Sequence, residues 1–172
     1  MVIAPRALNT TQVWKKNVLE KPIEIIHFAT GNESALMLQP RNLIVIEENS
    51  QAEIIESHQS LTENPIFTNS VTEIIAKQSS RLNIVKMQNE HNMATQLSST
   101  FISQRKDSFV STNIISLHGG MIRNNVQVRM EEEGCENHTF GLYLVDKQQH
   151  VSNHTIVEHA NQQTHQGCQE QV

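Results

Sequence analysis

The sequence is poor in the residues that form tight turns and covalent cross-links. Among its 172 residues are only 6 glycines and 4 prolines, which argues against a sandwich or barrel and against flexible or proline-rich disorder. Two cysteines do not indicate a disulfide framework, and no apolar run is long enough to span a membrane. With 18 acidic against 13 basic side chains, a basic face for nucleic acid is not expected. Residues 1–16 lack the apolar core of a signal peptide, so we expect a cytoplasmic protein.

The apolar residues that are present favour strands, and they recur at a regular interval. Isoleucine and valine number 30 against 11 leucines, a β-branched bias that suits sheets better than helices. Four segments share one layout, in which a short apolar alternation leads to a polar corner and then to a second alternation. The corners lie near Ser50, Ser79, Asp107 and Gly134, so a corner recurs about every 28 residues.

A repeat of this length predicts a parallel β-solenoid. No single unit can bury its apolar face alone, whereas stacked units pair their backbones from one coil to the next. The alternative is an ordinary antiparallel sheet whose strands are regularly spaced by accident. We therefore predict an all-β protein, a right-handed parallel β-helix with coils of roughly 27 to roughly 29 residues. Its core is expected over residues 22–160.

The two ends of the chain differ from this repeat. In residues 1–21, Val13, Trp14, Val18 and Leu19 lie near helical spacing, so this segment is predicted to be a short helix or an irregular lead-in that caps the solenoid. Residues 161–172 show no apolar pattern and are predicted to form a disordered tail.

Histidines and one cysteine near the end of the repeat are the candidate metal ligands. His150 and His154 share one face of a predicted strand but lie about 13 Å apart, and His159 points to the opposite face. Cys135 follows a corner glycine and has no basic neighbour close in sequence that would activate its thiol. A structural or surface role is expected for these four residues. The alternative is a stand-alone metal-binding protein that uses all of them.

Signatures of enzymes are missing from the sequence. His118-Gly119-Gly120 is not followed by the Gly-Lys-Ser/Thr of a phosphate loop, and no Gly-x-Ser-x-Gly elbow occurs. The run Glu131-Glu132-Glu133 is typical of a solvated corner, and the presence of only two aspartates disfavours a carbohydrate-cleaving solenoid. No catalytic residue is predicted.

Several separated motifs resemble the SufB/SufD family of iron–sulfur cluster assembly scaffolds. The first is Leu117–Val126 (LHGGMIRNNV), and Pro40–Val45 is similar to the family's first coils. The others follow in order: Gly134-Cys135-Glu136, Gly141-Leu142-Tyr143-Leu144, Gln149–Thr155 (QHVSNHT) and Glu158-His159. The likeness covers about residues 22–160 and is closer to SufD than to SufB.

This resemblance implies a right-handed parallel β-helix that is not itself a catalyst. Family members pair with one another through their β-helices and bind the ABC-type ATPase SufC, and an iron–sulfur cluster forms transiently in the complex. We therefore expect SufB-like and SufC-like partners and no cofactor bound by this chain alone. The chain is shorter than the family pattern at both ends, so its exposed end is also expected to pair with a second copy.

Overall fold

All the strands of the described structure belong to two parallel sheets. The structure is a computed structural model, and it describes residues 2–3, 8–13, 15–30, 35–146, 148–160 and 165–171. The first sheet contains β1 Val2–Ile3, β2 Leu8–Val13, β4 Leu36–Leu38, β5 Arg41–Ile46, β7 Ile66–Ala76, β9 Ala94–Gln104, β11 Met121–Met130 and β13 His150–His159. The second contains β3 Ile23–Ala29, β6 Gln51–Ser60, β8 Arg81–Asn89, β10 Phe109–His118, β12 Glu136–Tyr143 and β14 His165–Gln171.

Each strand pairs with the corresponding strand of the next coil. In the first sheet the order is β1-β4-β7-β9-β11-β13, with β5 pairing β7 and β2 pairing β5, and in the second it is β3-β6-β8-β10-β12-β14. Every pairing is parallel, which confirms the predicted β-solenoid and excludes the antiparallel alternative. No helix occurs among the described residues.

A residue in the left-handed conformation marks each corner from the first sheet to the second that lies within the described residues. These residues are Lys16, Asn49, Ser79, Asp107 and Gly134, with φ between 55° and 70°. Glycine, asparagine and aspartate tolerate this region better than most residues, and a single such residue reverses the chain within a few positions. Neighbouring corners are also linked, since the Ser79 amide donates to the Lys106 carbonyl at 2.9 Å. All four predicted corners are confirmed, and at the corner predicted near Ser50 the left-handed residue is Asn49.

The apolar core lies between the sheets, close to these corners. Inward residues stack in columns because parallel register places residues of neighbouring coils side by side. In the first sheet, Ile44 pairs Ile74, and Ile74 pairs Ile102. In the second, Ile54 pairs Ile84. All five side chains are buried, so the columns exclude water along the solenoid.

The N-terminal segment was predicted to be a short helix or an irregular lead-in, and the structure forms strands in its first part. Residues 1–21 contain β1 and β2, and β2 pairs in register with β5, so that Val13 lies beside Ile46 and is buried. The free backbone groups of β5 favour an added strand over a helix, because a strand satisfies them directly. Trp14 lies outside the described residues.

The C-terminal segment also differs from the prediction. Residues 165–171 of the predicted disordered tail form β14, which pairs with β12 from Glu136 beside His165 to Leu142 beside Gln171. Backbone pairing needs no apolar pattern, which is why the polar sequence did not reveal this strand. Residues 161–164 and 172 lie outside the described part of the chain. Nowhere in the described chain is there a helix long and apolar enough to cross a membrane.

Candidate functional site

The interior of the solenoid changes from apolar to polar with distance from the corners. On β6 the inward residues are Ala52 and Ile54 near the corner, followed by Glu56 and His58. The other strands of the central coils change in the same way. The buried polar residues of this inner region are Asn42, Glu56, His58, Thr68, Ser70, Thr72, Lys86, Gln88, Glu90, Gln96, Ser98 and Thr100. A small second apolar cluster closes the far side, where Ala29, Leu36, Ile66 and Ala94 pack together.

Glu56 is the centre of this polar region. Its side chain has no exposed surface, so its charge requires partners inside the protein. Oε1 accepts a hydrogen bond from Asn42 Nδ2 at 2.8 Å, and Oε2 accepts one from Thr72 Oγ1 at 3.0 Å. Lys86 Nζ lies 3.2 Å from Oε2 and donates to Thr72 and to Thr100 Oγ1 at 3.2 and 2.8 Å. The carboxylate and the ammonium therefore form a buried, hydrogen-bonded ion pair.

Two histidines approach the same carboxylate from one side. The Nε2 atom of His27 lies 3.6 Å from Glu56 Oε1, and the Nε2 atom of His58 lies 3.4 Å from the same oxygen. The imidazole rings stack with centroids 4.6 Å apart and an angle of 21° between their planes. Asn42 Nδ2 also lies 3.4 Å from His27 Nε2. Both imidazoles and the carboxylate thus point to one small volume.

Burial and neighbouring charges set the protonation of these groups. Burial raises the pKa of the Glu56 carboxyl, but the Lys86 charge and the hydrogen bonds of His27 and His58 outweigh it and hold that pKa well below its usual value. Burial lowers the pKa of His58, and the hydrogen bond and charge of Glu56 offset this only in part. Glu56 is therefore ionised and His58 neutral near pH 7.

A surface pocket gives access to the cluster. It has a volume of about 330 Å³, and His27, His58, Gln39, Thr68 and Glu90 are among its lining residues. The Glu90 side chain is 2% exposed, and its Oε1 accepts a hydrogen bond from Thr68 Oγ1 at 3.2 Å. Within the described part of the chain, its Oε2 atom has no hydrogen-bond partner. Burial raises the pKa of Glu90, with the Thr68 hydrogen bond opposing.

The lowered pKa of His58 makes stability depend on pH. As the pH falls through about 6.5, the unfolded chain binds a proton at this residue before the folded chain does, so stability is present above that pH and is lost below it. We expect the free energy of unfolding to fall between about pH 7.5 and pH 5.5, by at most about 1.4 kcal/mol per pH unit for this group. Urea unfolding across this range measures it.

The His58→Gln variant should show a shallower pH dependence than the wild type, since glutamine does not titrate. His154→Gln is the control, because His154 is exposed on β13, and it should keep the wild-type slope. Equal slopes in all three proteins would contradict the assignment to His58.

Cys135 packs inside the solenoid at a corner. It is fully buried and follows the corner residue Gly134, as Ser80 follows Ser79 and Ser108 follows Asp107. Its Sγ lies 3.1 Å from the carbonyl oxygens of Arg105 and Glu132 and 3.9 Å from Ser108 Oγ. The cysteine therefore continues a column of small buried residues along the corners.

The three predicted histidines lie on β13 and do not converge. His150 and His154 pair with Met121 and Asn125 on the outer row of β11, whereas His159 pairs with Met130 on the inner row. All three are exposed, and they form no group of three or more metal ligands with Cys135. Among the described side chains, the three that lie close enough together to hold a metal ion are His27, Glu56 and His58.

Sequence reasoning missed this second group, although a signal for it exists. His27 pairs with His58 in adjacent strands, and Glu56 pairs with Lys86. The partners in both pairs are slightly farther apart in sequence than the predicted corners, which recur about every 28 residues. An error of one residue in the register between strands moves a side chain to the other face of the sheet. The spacing of the predicted corners is shorter than the separation of these partners, so it could not identify the pairs.

Comparison with known proteins gives one family match and one curated relative. Residues 27–169 match the family model described as "SUF system FeS cluster assembly, SufBD core domain". An iron–sulfur cluster assembly SufBD family protein of Synechocystis sp. is 25% identical over 147 residues, which cover 81% of this chain and 32% of that protein. The chain therefore spans about a third of the length of this relative.

Proposed function

Because the chain belongs to the SufBD core-domain family of the SUF iron–sulfur cluster assembly system, we propose that it is a SufD-like scaffold subunit. In this role it pairs with a SufB-like protein and supports cluster assembly driven by a SufC-like ATPase in the cytoplasm. The observation that carries the proposal is the family match over residues 27–169, which coincides with the parallel solenoid. The cluster is cargo of the assembled complex and is not a cofactor bound by this chain alone.

The SufD-like assignment is supported by two neighbouring motifs. Gly141-Leu142-Tyr143-Leu144 ends β12 and continues past it, and Gln149–Thr155 opens β13, so both belong to the same coil. They resemble SufD more closely than SufB. A non-catalytic role agrees with the absence of enzyme signatures in the sequence.

Pairing with a partner is supported by the strand edges of this coil. Among the described residues, β13 pairs on one side with β11, and β14 pairs on one side with β12. The other edge of such a strand offers backbone N–H and C=O groups, which accept a strand of another chain or a further coil of the same chain. Ile156 lies on β13 and is 44% exposed, which adds an apolar contact at this edge.

Co-purification tests the proposed role. The tagged chain is expressed with SufB-like and SufC-like proteins from the same genome, captured by its tag and analysed by size exclusion. We expect the SufB-like protein to elute with it. Failure to retain the SufB-like protein, or recovery of a homodimer alone, would refute the heteromeric scaffold role.

Two matched variants locate the contact. Ile156→Lys adds a charge on β13 and is expected to weaken pairing at least tenfold, because a buried charge without a partner is costly. Ile26→Lys is the control, since Ile26 lies on β3 in the first coils and is 40% exposed. Equal retention of the SufB-like protein by both variants would place the contact elsewhere.

The alternative role as a stand-alone metal-binding protein through Cys135, His150, His154 and His159 has no observation in its favour. His150 and His154 share the outer row of β13, His159 lies on the inner row, and these residues form no common site with Cys135.

A further inference from the structure

The hydrogen bonds between the two histidines and Glu56 are long, and the spacing of these atoms is that of ligands around one metal ion. The two Nε2 atoms lie 3.6 and 3.4 Å from Glu56 Oε1, whereas hydrogen bonds that involve a charged group are usually about 2.7–2.9 Å long. A tetrahedral ion with ligand bonds of about 2.0–2.2 Å separates its ligand atoms by about 3.4 Å. All three candidate atoms lie within 4.8 Å of one another.

The surroundings orient one oxygen of Glu56 toward the two histidines. Glu56 Oε2 accepts a hydrogen bond from Thr72 Oγ1 at 3.0 Å and lies 3.2 Å from Lys86 Nζ, whereas Oε1 faces the histidines and lies 3.3 Å from Thr72 Oγ1. Asn42 also donates to Oε1, and a carboxylate oxygen has a second lone pair for an ion. On metal binding through Nε2, the ring proton resides on Nδ1.

The pocket supplies an entry path and a further polar group. His27 is 15% exposed at its side chain and lies on the pocket wall, so an ion from solvent reaches the cluster there. Glu90 lines the same pocket, is almost fully buried and has an unpartnered Oε2 atom among the described residues. It is not one of the three direct ligand candidates.

We infer that His27, Glu56 and His58 form a binding site for one divalent transition-metal ion of the zinc and ferrous class. Two imidazole nitrogens and a carboxylate oxygen are the ligand set that these ions accept, and a water completes the coordination. The ion accepts a lone pair of Glu56 Oε1, and the water enters from the pocket that His27 and His58 line. This site is independent of the proposed scaffold role, because binding is measured on the chain alone.

Titration of the purified, metal-free chain with Co²⁺ tests the site. We expect one Co²⁺ per chain, with ligand-field absorption in the visible region that disappears when Zn²⁺ is added. Zn²⁺ should also raise the midpoint of thermal unfolding of the wild-type chain. Absence of binding, or binding without displacement by Zn²⁺, would overturn the inference.

Variants distinguish this site from the exposed histidines. His58→Gln and His27→Phe should each weaken Co²⁺ binding at least tenfold, and His27→Phe keeps the ring stack and so preserves the packing. Circular dichroism establishes that each variant is folded. His150→Gln with His154→Gln is the control and should bind as the wild type does. Unchanged affinity in the first two variants, or loss of binding in the control, would show that the ion binds elsewhere.

Discussion

Replacing Glu56 by alanine is expected to lower the free energy of unfolding by about 3–5 kcal/mol. The substitution leaves Lys86 with an unpaired charge at a position that is 7% exposed, and it removes the acceptor for Asn42 and Thr72. Leaving a buried ammonium without its carboxylate costs far more free energy than the intact ion pair contributes to stability. Urea unfolding monitored by circular dichroism measures the loss.

Two further variants separate the loss of the ion pair from the loss of packing. Glu53→Ala is the matched control, because Glu53 lies on the same strand but is exposed, and it should change stability by less than about 0.5 kcal/mol. Lys86→Met in the background of Glu56→Gln removes the second charge and should recover part of the stability that Glu56→Gln alone loses. A double variant less stable than Glu56→Gln would contradict the ion-pair explanation.

Replacing Ile84 by alanine is expected to lower the free energy of unfolding by about 2–5 kcal/mol. Ile84 is fully buried and lies between Ile54 of the preceding coil and Thr112 of the following one. Its truncation leaves a cavity in the column of inward residues, and the neighbouring coils can fill this cavity only by shifting. The same urea experiment measures this loss.

Val85→Ala is the matched control for Ile84. Val85 is the next residue of β8, faces outward and is only half-buried, so its truncation should cost clearly less than that of Ile84. Similar losses for both variants would mean that the inward and outward faces of β8 are assigned incorrectly.

The regular part of the fold was predictable from the sequence because two independent signals agree. Alternation of apolar residues identified strands such as those that contain Ile74 and Ile84, and the spacing of polar corners identified the repeat. At Asp107 and Gly134 the residue type itself favours the left-handed conformation that the corner requires. The ends were less predictable, since β2 and β14 are defined by backbone pairing with β5 and β12.

The candidate site was not predictable in the same way, because alternation assigns apolar residues to inward positions, and here charged residues occupy them. Glu56 and Lys86 occupy inward positions, where charged residues are rare unless they are paired. Their pairing becomes visible only when the register between adjacent coils is known to the residue. The exposed histidines of β13 attracted attention because they are close in sequence, whereas His27 and His58 are separated by a whole coil.

The constant length of the coils has a consequence for the way the chain folds. Ile66 pairs with Ala94 in one sheet, and Gln51 pairs with Arg81 in the other, so successive pairings close loops of nearly the same size. The entropy lost on closing a loop rises with its length, and here it stays the same however many coils have already formed. We expect the first pair of coils, which forms without a template, to be the slow step, and each later coil to add to an existing edge. Folding is therefore expected to proceed as nucleation followed by stepwise growth.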